Sequence, residues 1–104
     1  MSTKSAKKTL EKMIGPITFG MLLRSYMERE EITQTELAKV LGTTLGYVSN
    51  IINDRKKVSL SKAIEIAEIL GEPERTYLEV AIEDSLRESG VKCSVELKNF
   101  RIGA

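Results

Sequence analysis

The sequence predicts an all-α domain of five helices, with a short basic helix before them and a lone β-strand after them. Three observations carry this. Apolar residues recur at three- and four-residue steps in successive segments, hydroxyl residues and glycines punctuate those segments, and alternation with a period of two is confined to Val91–Leu97. At 104 residues, with 41% apolar and 30% charged side chains, the chain has the size and balance of one small domain that buries its own core. Its apolar runs are a few residues long, far short of the roughly 20 that a bilayer requires, and no signal-peptide core follows the basic start. The single cysteine, Cys93, excludes an internal disulfide and fits a reducing compartment, so the expected location is the cytoplasm.

Residues 1–15 form a basic segment with Lys4, Lys7, Lys8 and Lys12, in which Leu10, Met13 and Ile14 share one helical face before Gly15-Pro16 ends it. It reads either as an arm along a DNA backbone or as a frayed end with one docked turn. A second helix, from about Thr18 to Glu30, carries the stripe Phe19, Leu22, Leu23, Tyr26 and Met27, which is core. Its Arg24 and Arg29 could approach a nucleic-acid backbone, and surface ion pairing with Glu28 or neighbours is their more ordinary fate.

Thr33 and Glu36 then form a capping box, each side chain satisfying a backbone amide at the other's position. Leu37, Ala38, Val40 and Leu41 give the helix that follows a buried face, and Gly42 supplies the left-handed residue that ends it. Thr43 or Thr44 caps the next helix, where Val48, Ile51 and Ile52 lie on a common side. The opposite side shows Leu45, Gly46, Tyr47, Ser49, Asn50 and Asn53. Asp54 makes a turn, and Arg55, Lys56 and Lys57 follow as a cationic run suited to phosphate. Ser59 caps a further helix with Leu60, Ala63, Ile64, Ala67, Ile69 and Leu70, stopped at Gly71. Pro73 begins the last, Glu74 to Ser89, with Tyr77, Leu78, Ala81, Ile82 and Leu86 inward and an acidic outer face.

The segment Thr33 to Leu60, two short helices about a tight turn and then a basic loop, resembles the helix-turn-helix of the lambda Cro and C1 repressor family, also called Xre. The likeness runs from Phe19 to Gly71, with Thr33-Gln34, Glu36-Leu37-Ala38, Leu41-Gly42 and Ser59-Leu60 at the motif positions. It implies a Cro/C1-type bundle of about five helices that binds double-stranded DNA as a homodimer at a palindromic operator and regulates transcription. By that resemblance Leu45, Gly46, Ser49 and Asn50 face base edges in the major groove, while Gln34 and Thr44 sit beside the backbone. Asn50 is the strongest base reader by its chemistry, since one planar amide both donates to and accepts from adenine. Ser49 discriminates little. Tyr47 can reach a phosphate or pack on a sugar, and Asn53 completes the exposed side. Leu45 and Gly46 depart from the polar residues common in the family. Leucine can meet a thymine methyl group, and glycine can admit a close backbone approach at a helix cost of up to about 1 kcal/mol.

After Gly90, Val91, Cys93, Val95 and Leu97 alternate with polar residues as a strand does. A lone strand leaves backbone amides and carbonyls without partners, so something must pair with it. The same strand of a second copy, making a ribbon across a twofold axis, is one solution and defines these four residues as dimerisation candidates. Insertion into another protein's sheet is a second, and accidental alternation in an unpaired tail is the third.

The resulting organisation is a basic segment over 1–15, a helix-turn-helix domain over 16–71, and an acidic helix with its tail over 72–104. Charge follows it: residues 1–60 hold ten Lys or Arg against six Asp or Glu, whereas residues 61–104 hold six against nine. A basic half suits phosphate, and an acidic half suits solvation or a protein partner. Histidine is absent, as are a Gly-rich phosphate loop and metal-ligand spacing, so neither an enzyme, a metal nor a cofactor is expected. Two functions stay in view, a dimeric repressor acting on its own promoter and an antitoxin that also neutralises a toxin protein by direct contact; a third, an interaction scaffold that has lost DNA binding, draws on Leu45 and Gly46.

Overall fold

Five helices succeed one another through short turns in the computed structural model, which describes residues 16–103: α1 Phe19–Glu30, α2 Gln34–Leu41, α3 Leu45–Ile52, α4 Leu60–Leu70 and α5 Glu74–Glu88. The helix expected within residues 1–15 lies outside the described residues. Four starts are fixed by hydroxyl caps, since the side chains of Thr18, Thr33, Thr44 and Ser59 accept the amides of Met21, Glu36, Tyr47 and Lys62. The Thr33 cap is reciprocal: Glu36 accepts the Thr33 amide at 2.9 Å, and that bond holds its carboxyl below the usual carboxylate range.

All five helices end in the same way. One amide donates to the carbonyl five residues back and the amide before it to the carbonyl three back: Ile32 to Met27 with Glu31 to Glu28, Thr43 to Ala38 with Gly42 to Lys39, and Arg55 to Asn50 with Asp54 to Ile51. Glu72 to Ala67 with Gly71 to Glu68, and Val91 to Leu86 with Gly90 to Arg87, repeat the pattern for α4 and α5. This is the Schellman cap, which needs one left-handed residue. Glycine fills that place at 42, 71 and 90, but Glu31 (φ 55°) and Asp54 (φ 56°) fill the other two. Aspartate tolerates this region better than glutamate does, because its short side chain bonds locally.

The core gathers Phe19 and Leu23 of α1, Leu37, Ala38 and Leu41 of α2, Val48, Ile51 and Ile52 of α3, Ala63, Ile66 and Ala67 of α4, and Tyr77, Val80 and Ala81 of α5. Phe19 meets Tyr77 edge to face, with ring centroids 5.5 Å apart. Leu22, Tyr26 and Met27 flank this core, as the stripe of α1 predicts. On α4 the expected stripe needs correction: Ile66 is buried, while Ile69 stands exposed. At about 100° per residue, Ile69 sits a third of a turn from the line of Ala63, Ile66 and Ala67.

The acidic face of α5 is the larger correction. Glu79, Glu83 and Asp84 are buried, not solvated. Asp84 accepts the amide of Phe19 at 2.9 Å, supplying the first amide of α1 with a partner from a helix distant in sequence. Burial raises its pKa above the usual carboxylate range, against the Phe19 amide and the charges of Arg87 and Lys57, which lower it. Glu83 accepts the amide of Val95 and Glu79 that of Leu97, both at 2.7 Å.

Those two bonds replace the strand expected through Val91, Cys93, Val95 and Leu97. No strand occurs among the described residues, and the tail instead runs along α5. The lone segment did need partners, but its own chain supplies them. Carboxylates four residues apart on a helix are about 6 Å apart along its axis, and amides two apart on extended chain lie about 6.6 Å apart. The two spacings match, so a helix side can receive one edge of an extended segment. A twofold ribbon on that edge would have to displace these bonds.

Candidate nucleic-acid interface

Helix α3 is held by its apolar side and exposed on the other. Val48, Ile51 and Ile52 are at most 2% exposed, so the helix cannot roll without opening the core. The turn before it, Gly42 to Thr44, is three residues long and capped at both ends. Gly20 of α1 fixes the far end of the helix from behind. A Cβ there would stand 2.5 Å from the carbonyl oxygen of Ile51 and 2.8 Å from that of Ile52, so only glycine permits this approach. Arg24 of α1 completes the anchorage, donating to the Ile52 carbonyl at 3.4 Å and to the Asn53 side chain at 3.2 Å. Its guanidinium thus sits at the negative end of α3 instead of in a surface ion pair with Glu28. Neither contact was legible in the sequence, where Gly20 and Arg24 are separated from α3 by most of the motif.

On the exposed side the candidate residues divide. Leu45 is 48% exposed at the first position of α3. A Cβ on Gly46 would meet nothing within 4 Å, so the helix has an open notch there. Thr44 spends its hydroxyl on the cap. Gln34, in the first turn of α2, lines a shallow depression with Arg24, Glu31 and Ile52, on the α1 side of the motif. Asn53 is tied at both ends, donating to the Ser49 carbonyl at 2.9 Å and accepting from Arg24, so its amide serves the end of α3. Tyr47 packs against the core and carries the ammonium of Lys56 over its ring at 5.7 Å.

Arg55 is the residue the structure places differently. Its Nε donates to Asn50 Oδ1 at 3.0 Å and Nη2 to Ser49 Oγ at 3.3 Å. The cap at Asp54 causes this: the chain reverses there, and the amides of Arg55 and Lys56 both donate to the carbonyl of Asn50. The side chain of Arg55 therefore returns over α3 and joins Ser49 and Asn50 in one polar cluster. Beside it, Asp54, Arg55, Lys56 and Lys57 form an open groove of about 630 Å³ with Arg87 and Glu88 from the end of α5. Arg87 adds a cation to the basic run, braced by an ion pair with Asp84. The sequence placed it among the acidic residues and hid this role.

A rigid exposed helix, reached through a three-residue turn and bordered by cations, is the geometry of a major-groove reader. A helix-turn-helix family model matches residues 23–76, just over half of the chain. The chain belongs to that helix-turn-helix family, of the Cro and C1 repressor type. No curated protein and no solved structure matches it. No helix among the described residues is long and apolar enough to cross a membrane.

Proposed function

We propose that the protein is a cytoplasmic, sequence-specific DNA-binding regulator, a homodimeric repressor that acts on a palindromic operator at its own promoter. The observation that carries this reading is the exposed side of α3, where Leu45, Gly46, Ser49 and Asn50 lie beside Arg55, Lys56 and Lys57 on a helix immobilised from behind. Phosphate neutralisation by Lys56 and Lys57 supplies affinity without sequence preference, and the polar side chains on and over α3 supply the preference. Two copies on half-sites about 34 Å apart provide selectivity that one short helix lacks. No catalytic role is assigned.

The antitoxin reading receives no comparable support. The amides of Val95 and Leu97, which a toxin could pair with as an added strand, are already taken up by α5. Sedimentation of the full chain with a duplex from upstream of its gene tests the proposal. Two protomers per duplex, together with repression of a reporter driven by that promoter, is the expected result. A one-to-one complex would refute the dimer, and a reporter indifferent to the protein would refute the repressor.

A further inference from the structure

We propose that Arg55 reads a guanine in the major groove, with Asn50 and Ser49 acting as its positioning residues; this rests on the DNA-binding reading above. By its amide chemistry Asn50 is expected at adenine, and by its charge Arg55 is expected at phosphate. The geometry instead ties Asn50 and Ser49 to Arg55. Reading adenine uses the oxygen and the nitrogen of the Asn50 amide in one plane, and here Arg55 Nε takes one of the two lone pairs of that oxygen and turns the amide toward Arg55. Arg55 itself has donors to spare. A guanidinium carries five N–H groups; one on Nε is given to Asn50 and one on Nη2 to Ser49.

The three that remain are both hydrogens of Nη1 and one of Nη2. They include the end-on pair, one from each terminal nitrogen, which matches the O6 and N7 acceptors of guanine. A side chain with several rotatable bonds is normally costly to order, and here two hydrogen bonds and a capped backbone fix it before DNA arrives. Arg55 is exposed, and neither of its two bonds uses Nη1. A phosphate contact would need neither the cluster nor its planarity, since any cation near the backbone serves.

The test begins with selection of a binding site from a randomised duplex pool by the full-length protein. Each guanine of the selected half-site is then replaced in turn by 7-deazaguanine, which lacks the N7 acceptor, and affinities are read by fluorescence anisotropy. At one guanine the replacement should weaken the wild-type protein on the order of tenfold, and should weaken Arg55→Ala less than twofold.

Asn50→Asp keeps an acceptor for Nε and should retain the guanine preference, at lower affinity for all DNA. Asn50→Ala should lose most of that preference. If Arg55→Ala lowers affinity for selected and scrambled duplexes by one factor and leaves the 7-deazaguanine penalty intact, Arg55 is a phosphate contact and the proposal fails. If Asn50→Asp instead changes preference at an adenine, Asn50 is the reader. A pool that yields no preferred site with the wild-type protein would overturn the DNA-reading function itself, a different failure from either of these.

Discussion

Gly20→Ala adds one methyl group where α1 passes behind the end of α3, and the structure sets the size of the effect. The new carbon would lie 2.5 Å from the Ile51 oxygen, 2.8 Å from the Ile52 oxygen and 2.8 Å from Asp54 Oδ1. Ordinary carbon–oxygen contact begins at about 3.3 Å, so the gap must widen by about 0.8 Å at its tightest point. The two carbonyls belong to the last turn of α3, whose side chains Ile51 and Ile52 are locked in the core, so they cannot yield alone. Overpacking of this kind costs about 1–3 kcal/mol, and alanine's better helix propensity returns less than about 1 kcal/mol. A net loss near 1–2 kcal/mol corresponds to a fall in Tm of roughly 5–15 °C for a domain of this size. Thermal unfolding followed by circular dichroism measures it. Gly46→Ala is the control, since its added carbon meets nothing within 4 Å and should raise Tm slightly. Equal or higher stability of Gly20→Ala would refute the claim that α3 is braced by backbone contact with α1.

Glu31→Gly should stabilise the protein by about 0.5–1 kcal/mol in urea unfolding, because a left-handed residue that ends α1 loses its Cβ penalty; an unchanged or lower midpoint would contradict the cap assignment. In hydrogen exchange, the amides of Val95 and Leu97 should be protected, and Glu79→Ala should speed exchange at Leu97 more than at Val95; equal rates before and after the change would mean that α5 does not hold the tail. Asp84 titrates above the usual carboxylate range when folded, so between its unfolded and folded pKa the native state binds the proton more tightly. Its contribution therefore makes stability fall as pH rises through that window. Asp84→Asn, which keeps an acceptor for the Phe19 amide, should remove this slope. What remains should include the opposite slope from Glu36, whose lowered pKa adds stability above the ordinary carboxylate range and loses it as pH falls through the folded value. A pH profile identical in wild-type and variant proteins would exclude the burial of Asp84 as a cause.

Local chemistry made most of the fold legible. The hydroxyl caps at Thr33, Thr44 and Ser59, the stops at Gly42 and Gly71, and the apolar face Val48, Ile51 and Ile52 each act within one or two helical turns, and the structure has them where the spacing puts them. Long-range satisfaction of polar groups was hidden. Glu79, Glu83 and Asp84 read as a solvated face because the amides they accept, those of Leu97, Val95 and Phe19, lie at least twelve residues away in sequence. The same blindness produced the strand. Alternation at Val91–Leu97 reported an extended chain with one edge to satisfy, and a helix satisfies it as well as a second strand would. At the candidate interface, spacing found the exposed side of α3 but not the return of Arg55 over it, which depends on a left-handed aspartate at 54.

Recognition of a particular DNA sequence through α3 and the Arg55 cluster over it is the property on which the proposed function stands. It is checked by a salt-titrated gel shift of the purified protein on the duplex immediately upstream of its own gene, against a scrambled competitor. Affinity for both duplexes should fall as salt rises, while a preference for the upstream duplex persists. Weak binding that is equal on both duplexes and vanishes together with rising salt would show that α3 does not read sequence.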